Sequence, residues 1–361
     1  MAAVNATAII CVAANPTMVM LAREAKGLSQ ADLANALGVN QGTVSRFESG
    51  DIPVPPETVA VLADVLEQSE SLFYEKLEFQ ELPLVFYRRR VKVRSATLKA
   101  IRARMNFVRM RVRRLLKSAD VPELRIFRAD ATRGPGTPVA AARQLRVHWN
   151  LPPGPVRNVT RAMEDAGILV LPFDFDGDEV SALSVYNPRD ELPPIVLYNP
   201  SQSGDRLRLT LAHELGHIVL HHHLAIAEDD ADTEGEAWTF AREFLVPAGE
   251  IRGHLGNLNL KKLAALKAHW RVSMQMLIMH ATALGRISER QQRTLFTEMN
   301  KHGYRKVEPI SVPLEKPTLF SELIDYHSKE LQVSEQQLST VLHYRDPFAF
   351  RRECRVLPGV A

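Results

Sequence analysis

Three features of this 361-residue sequence predict a multidomain protein with an all-α N-terminal domain, an α+β central domain and a helical C-terminal region. The length suits two or three domains. Short helical segments separated by glycines fill residues 17–66, whereas three short β-like runs occur together in the middle of the chain. The composition, 45% hydrophobic and 24% charged, is that of a folded globular protein and excludes a collagen-like or wholly disordered chain.

The N-terminal helical segments have the signals of two short helices joined by a tight turn. Ser29 and Asn40 are placed to cap the second and third helices, and Gly38 is placed to end the second. This layout is the helix-turn-helix pattern, in which the later helix reads DNA from the major groove. The sequence therefore predicts a DNA-binding domain over residues 14–80.

Ser29–Gly50 resembles the XRE family of phage-repressor-like DNA-binding domains, because it follows their pattern SQxxLAxxLGVxxxxVSRxExG nearly throughout. The resemblance implies that Gln30 binds a backbone phosphate. It also implies that Gln41, Thr43 and Arg46 reach base edges, and Gln and Arg suit that role because they pair with adenine and guanine through two hydrogen bonds. The implied partner is a double-stranded DNA operator, bound by a homodimer on paired half-sites. A domain kept only for partner binding or dimerisation is the alternative.

A basic block follows this domain. Residues 82–118 contain thirteen Lys or Arg and no Asp or Glu, although the formal charge of the whole chain is only +3. Apolar residues recur every three or four positions there and predict an amphipathic helix, with a polar face formed by Lys99, Arg102, Arg109, Arg113 and Lys117. Beside a DNA-binding domain, phosphate contacts by this face and a merely solvated helix face are equally open interpretations.

The middle of the chain predicts a small α+β unit. A Pro-, Gly- and Ala-rich stretch over residues 130–155 indicates a boundary, and a helix that ends at Gly167 follows. The runs ILVLPFDF, VSALSVYN and PIVLYNP come next, separated by turn residues. They predict a sheet directly before the segment with the strongest chemical signal.

That segment, RLRLTLAHELGHIVLHHH, carries an H-E-x-x-H motif formed by His213, Glu214 and His217. Positions i and i+4 of a helix lie on one face, so both imidazoles can bind one zinc ion. Glu214 then lies beside the metal, where it can take a proton from the bound water and deliver it to a leaving amine. The motif therefore points to metal-assisted peptide hydrolysis.

A catalytic zinc needs a third protein ligand. Glu234 precedes the small residues of the next predicted helix and can lie on the same side as them. Glu236 is the competitor, rotated by about 200° from Glu234 at about 100° per residue. Manganese or iron fits a site of two histidines and one carboxylate as well as zinc does.

Pro193–Pro247 resembles the ImmA/IrrE metallopeptidases, whose pattern runs from PPIVLYNP through DRLRLTLAHELGHIVLH to ExEAxxFAxEFLVP. The resemblance implies a zincin-like fold with one zinc ion held by His213, His217 and Glu234. It assigns Glu214 as the general acid and base. It also implies a protein substrate, namely a repressor cleaved in a stress or mobile-element response.

Several polar residues near the motif have no assigned chemistry. His221, His222 and His223 are interpreted as a solvated helix end, with a role in feeding metal or substrate as the alternative. Asp229, Asp230 and Asp232 are interpreted as a solvated loop or as partners of the imidazoles. Arg206 either binds substrate or pairs with acids. The region after Pro309 predicts helices without chemistry, suited to packing or dimerisation.

The predicted fold class is thus multidomain: an all-α helix-turn-helix domain, an α+β zincin-like metallopeptidase domain and a helical C-terminal region. The predicted segments are residues 14–80, 81–130 (a basic helical connector), 131–254 and 255–361. The predicted function is a DNA-binding transcriptional regulator with a zinc metalloendopeptidase domain. The alternative is a regulator whose metallo-domain senses a ligand or partner without proteolysis. Two cysteines and the lack of a long apolar run favour a cytoplasmic protein with no membrane partner.

Overall fold

A computed structural model of the chain describes residues 13–76, 94–127, 137–188, 191–221 and 232–354. The chain divides into two compact units. Unit 1 comprises residues 1–82, 92–119 and 324–361, and unit 2 comprises residues 83–91 and 120–323. The segment boundaries predicted near residues 80 and 130 lie outside the described residues. The multidomain fold class is confirmed: helices form the N-terminal domain, and a small sheet lies among helices in the middle of the chain.

Unit 1 is helical, and its N-terminal part has the predicted helix-turn-helix layout. Its helices are α1 (Pro16–Ala25), α2 (Gln30–Leu37), α3 (Gln41–Ser49), α4 (Pro56–Val65) and α5 (Ser95–Leu115), with a 3-10 turn at Glu70–Tyr74. The predicted caps are confirmed. Ser29 accepts a hydrogen bond from the Asp32 amide in a capping box, and Asn40 caps α3. Gly38 ends α2 with φ +67°, in the left-handed region that glycine adopts without strain.

Glu48 of α3 links α1, α2 and α3. Its carboxylate pairs with Arg23 of α1 at 2.5 Å and accepts a hydrogen bond from Gln30 of α2 at 2.9 Å. The Arg23 and Glu48 side chains are only 10% and 6% exposed. Because each partner neutralises a charge that is largely removed from water, the pair fixes where α3 lies relative to α1 and α2.

The prediction of a solvated polar face on α5 is wrong for Arg109. That side chain is only 5% exposed, and Arg102 pairs with Glu24 of α1 at 3.2 Å. Ala103 and Phe107 of α5 belong to the hydrophobic core of the helix-turn-helix domain. The helix is buried on more than one side, so only part of its charge, including Lys99 and Lys117, faces solvent. Residues 82–93 of the basic block lie outside the residues that the structure describes.

The C-terminal part of the chain packs within unit 1. It contains α15 (Glu335–Val341) and α16 (Pro347–Cys354), and α14 (Leu319–Lys329) precedes them. Arg111 donates to the Leu342 carbonyl at 3.2 Å and its guanidinium lies 3.8 Å from the Tyr344 ring centroid. The buried His343 contacts Ser71 at 2.7 Å and Glu75 at 3.1 Å. Residues 342–344 therefore pack on α5 and on the N-terminal domain, whereas the alternative role in dimerisation stays a prediction.

Unit 2 surrounds a three-stranded sheet with helices. Its elements are α6 (Thr137–His148), α7 (Val159–Asp165), β1 (Leu169–Pro172), β2 (Ala182–Val185), β3 (Ile195–Tyr198), α8 (Gly204–Leu220), α9 (Thr233–Leu245), α10 (Ala248–Ile251), α11 (Leu260–Trp270), α12 (Met274–Ala283) and α13 (Glu289–Lys301). The three predicted β-runs are confirmed. The central strand β3 pairs parallel with β1 and antiparallel with β2. Strand β2 is therefore an edge strand, and it lies beside α8.

Two buried carboxylates hold the extended segment 305–318 against the helices of unit 2. Glu308 accepts hydrogen bonds from the Met274 and Gln275 amides at the start of α12. Glu315 accepts from the Val159 and Thr160 amides at the start of α7. Helix N-termini carry unpaired amides and favour negative charge, so both contacts stabilise the segment where it passes the helices. In the described part of the chain, no helix is both long and apolar enough to cross a membrane.

We expect Glu48→Ala to lower the free energy of unfolding of unit 1 by about 3–5 kcal/mol, because Arg23 would lose the carboxylate that neutralises it. Asp64→Ala is the control: it removes an ion pair to Arg345 in which the Asp64 side chain is 76% exposed, and should cost less than about 1 kcal/mol. All three tryptophans lie in unit 2. The urea midpoint measured by far-UV circular dichroism should therefore fall for Glu48→Ala, whereas the midpoint measured by tryptophan fluorescence should not change. Equal effects of the two variants would contradict the role of Glu48.

Candidate metal centre

Helices α8 and α9 approach closely at Gly216. A Cβ atom at this position would lie 3.2 Å from the Cα and the carbonyl oxygen of Ala237, and 3.2 Å from the Phe240 ring. Such contacts are tighter than ordinary van der Waals distances, so only glycine leaves both backbones where they are. This close approach brings side chains from the two helices into one site.

His213, His217 and Glu234 meet at this site. The two histidine Nε2 atoms are 3.1 Å apart, and the Glu234 carboxylate oxygens lie 3.5 Å from His213 Nε2 and 3.3 Å from His217 Nε2. A tetrahedral zinc ion with bonds of about 2.0–2.1 Å separates its ligand atoms by about 3.3 Å. The two nitrogens and the two carboxylate oxygens are therefore close enough together for the three residues to hold one metal ion, and the two imidazoles are buried.

The charge state of Glu234 also suits a cation site. Burial alone would raise the pKa of this carboxyl, but hydrogen bonds and charge attraction from His213 and His217 outweigh it and hold the pKa well below its ordinary value. Glu234 is therefore ionised at neutral pH. Two nitrogen donors and one carboxylate form a donor set that fits zinc, and equally iron or manganese.

His221 is not part of a solvated helix end, which corrects the interpretation from the sequence. It is 3% exposed, its Nδ1 lies 3.0 Å from His217 Nδ1, and its Nε2 lies 2.9 Å from Glu236. The residue lies one helical turn after His217, on the face that packs against α9. Glu236, the competitor for the third ligand position, thus contacts His221, whereas Glu234 contacts the two motif histidines. His222, His223, Asp229 and Asp230 lie outside the described residues.

Glu214 lies beside the ligand triad and is held by the sheet. Its Oε2 accepts a hydrogen bond from the Ser184 hydroxyl at 2.6 Å, and the residue is 9% exposed. Ser184 belongs to the edge strand β2, so the sheet orients the acid next to the ligands. Trp238 of α9 stacks on His213, with ring centroids 4.1 Å apart. Asp232 caps α9 by accepting from the Gly235 amide at 2.9 Å.

The sequence reasoning missed Ser184, Trp238 and the pairing of His221 with Glu236. Nothing in the sequence marks Ser184, because its contact with Glu214 depends on how the sheet packs against α8. A signal for His221 was present: it follows His217 at the i+4 spacing that His217 has to His213. Once His221 is placed on that face, Glu236 can be assigned a structural role as its partner.

The predicted DNA-contacting residues lie together on α2 and α3. Gln41 donates to the Gln30 side-chain oxygen at 2.7 Å, and Gln30 in turn donates to Glu48. Thr43 bonds to the capping residue Asn40. Arg46 is exposed and makes no ion pair within the described part of the chain. The arrangement leaves one face of α3 accessible to a ligand.

Two family models match the chain. The model of the IrrE N-terminal-like domain, a peptidase family, matches residues 163–282, and a model of the helix-turn-helix domain matches residues 21–73. No curated protein matches the chain significantly. The first match contains the whole candidate metal centre, and the second contains all the predicted DNA-contacting residues. The chain therefore joins an XRE-like helix-turn-helix domain and a peptidase-type domain of the ImmA/IrrE kind in one polypeptide.

Proposed function

We propose that this protein is a DNA-binding transcriptional regulator whose second unit is a zinc-dependent metalloendopeptidase. The observation that carries the proposal is the convergence of two Nε2 atoms, 3.1 Å apart, with one carboxylate whose two oxygens lie 3.3 and 3.5 Å from them, while Ser184 holds the neighbouring Glu214 carboxylate. An ion pair of histidine and glutamate needs no such convergence of two Nε2 atoms. A divalent cation does need it.

In this proposal His213, His217 and Glu234 hold one zinc ion per chain, which when bound supplies a Lewis acid for activating water. Glu214 is the general acid and base: it takes a proton from the attacking water and delivers it to the amine nitrogen of the cleaved peptide bond. Ser184 donates to one oxygen of Glu214 and so leaves the other free for this transfer. The edge strand β2 offers backbone groups with which an extended peptide can pair.

His221 and Glu236 orient His217 in this proposal. A histidine that binds metal through Nε2 carries its proton on Nδ1, so His217 donates to His221 Nδ1, and His221 donates from Nε2 to Glu236. The two hydrogen bonds stabilise the His217 tautomer whose Nε2 lone pair faces the ligand site. Each donor therefore has an acceptor along the path from His217 to Glu236.

On the DNA side, Gln30 contacts a phosphate, and Gln41, Thr43 and Arg46 contact base edges of a double-stranded operator, with the protein acting as a homodimer in the cytoplasm. The match to a helix-turn-helix domain and the exposed Arg46 support this assignment. The protein substrate that we propose is a repressor of the XRE type. Its cleavage in a stress or mobile-element response would release the genes that it controls.

The peptidase proposal predicts that purified full-length protein with zinc cleaves the XRE-type repressor encoded nearest its gene. Glu214→Gln should reduce cleavage by at least about 100-fold, since general acid–base catalysis contributes about 10²–10⁴-fold. Cleavage is followed by gel electrophoresis and mass spectrometry of the products. Glu289→Gln, at a glutamate whose side chain is 83% exposed, is the control and should cleave normally. If wild type and Glu214→Gln behave identically while both bind DNA, the protein is instead a regulator whose metallo-domain senses a ligand or partner.

The metal assignment predicts graded losses of zinc affinity. Glu236→Ala should weaken zinc binding by about 10–100-fold, because His217 loses the support of the His221 hydrogen bond. Glu234→Ala should weaken it further, since a ligand itself is lost. A competition titration against a chromophoric chelator measures both, with Glu289→Ala as the control. Zinc binding that Glu234→Ala leaves unchanged would refute the site.

The DNA assignment predicts that Arg46→Ala costs about 1–3 kcal/mol of operator binding and relaxes base preference at one position. The operator is first selected from random duplexes with the wild-type protein, and binding is then measured by fluorescence anisotropy. Arg290→Ala, at an exposed arginine of unit 2, is the matched control. Unchanged base preference in Arg46→Ala would remove this residue from the interface.

A further inference from the structure

A groove of about 1210 Å³ runs along α8 and α9, and one of its lining residues, Trp238, contacts the candidate ligand His213. His217 contacts Glu234, and His213 stacks on Trp238, so the two helices run in opposite directions. Trp238 also lines the groove, and from there the groove continues past Leu209 toward the start of α8. Segment 304–314 forms much of the opposite wall.

The groove has an excess of positive charge. Arg206, Arg242, Arg305 and Lys306 line it, and none of them pairs with an acid within the described residues. Arg242 is half-buried, and its side chain donates to Thr239 Oγ1 at 3.1 Å. Burial lowers the pKa of its guanidinium from the ordinary value, because the charged group loses hydration. A half-buried cation without a carboxylate is costly unless a ligand neutralises it.

The acids that line the groove offset only part of this charge. Asp205 and Glu308 both bind Lys267, whose side chain is only 2% exposed. Glu308 also accepts two backbone hydrogen bonds at the start of α12. Both acids are thus held by Lys267 and leave a charge of −1 in this cluster, so the groove with its four other cations keeps a net charge of +3.

Apolar side chains are exposed in the same groove. Met279, Val307 and Leu314 line it and are 46%, 76% and 37% exposed. Large apolar side chains exposed together are typical of interaction sites. A ligand that satisfies this groove must carry both negative charge and apolar groups.

Two contacts of the β2 region indicate how far the groove cations lie from the reacting atoms. Ser184 of β2 bonds to Glu214, and Ser181, three residues earlier, has its hydroxyl 3.4 Å from Arg206. Along α8 the same span is eight residues, or about 12 Å at about 1.5 Å per residue. An extended peptide rises about 3.3 Å per residue, so it covers this span in about three or four residues.

We propose that the groove binds a segment of the protein substrate that carries an aspartate or glutamate three or four residues from the cleaved bond, next to apolar side chains. Arg206 and Arg242 pair with this acid. The volume exceeds the roughly 300–1,000 Å³ of sites for small ligands, which favours a peptide segment. The assignment of the groove to a substrate, as opposed to another ligand, rests on the proposed peptidase function.

Binding can be tested without cleavage by using the zinc-loaded full-length Glu214→Gln protein. The probes are three fluorescein-labelled decapeptides that share a Leu, Ala and Gly framework and carry two adjacent Asp, Asn or Lys residues. We expect the Asp peptide to bind about tenfold more tightly than the Asn peptide at low salt, with the Lys peptide weakest, and the difference to shrink as salt screens the charges. Adding Arg206→Glu and Arg242→Glu should reverse the order of the Asp and Lys peptides, whereas Arg290→Glu should preserve it.

The milder pair Arg206→Gln and Arg242→Gln keeps the test decisive if charge reversal disturbs folding, since it should abolish the preference for Asp over Asn. Equal binding of the Asp and Asn peptides, or a preference that survives both double variants, overturns the proposal.

In a second measurement, wild-type protein digests a library of random peptides, and mass spectrometry locates each cut. Enrichment of Asp or Glu three or four residues from the cut supports the spacing, and cut sites without this enrichment refute it. Acid-selective binding without any cleavage would count against the peptidase function alone.

Discussion

The distance between α8 and α9 is the constraint on which the second unit depends. Gly216 sets it, because any side chain there would meet the backbone of Ala237 at 3.2 Å. At this separation the Glu234 carboxylate lies within 3.5 Å of both imidazoles, and Glu236 reaches His221. A separation larger by one methyl group would break these contacts, since hydrogen bonds and metal bonds tolerate only a few tenths of an ångström.

The distribution of paired and unpaired charge separates structure from recognition. Buried ions in both units have partners: Arg23 with Glu48 in unit 1, and Arg208 with Glu315 in unit 2. An ion buried without a partner is costly, so such pairs hold elements in place. Arg46 on the recognition helix and Arg242 in the groove make no ion pair in the part of the chain that the structure describes. At these positions an external anion would neutralise the unpaired positive charge. In the proposals above, that anion is a nucleic acid on one unit and an acidic peptide on the other.

Local patterns predicted much of the fold and of the site. The caps at Ser29 and Asn40, the three strands and the H-E-x-x-H helix follow from short-range geometry, which a sequence displays directly. The errors concern burial. A basic helix and a histidine run look solvated when read alone, but Arg109 and His221 are buried by other elements of the fold. Periodicity shows which residues share a face, not what will cover it.

By itself, the sequence determined the two kinds of domain, the H-E-x-x-H motif and the helix-turn-helix layout, because helix spacing at three and four residues places those side chains on common faces. Only the tertiary structure decided which glutamate meets the motif histidines, since Glu234 and Glu236 differ only by their rotation about one helix axis. It also placed Ser184 against Glu214, packed the C-terminal helices beside α5, and left a cationic groove next to the metal centre. These features depend on contacts between residues far apart in the chain, whose distances no local pattern specifies.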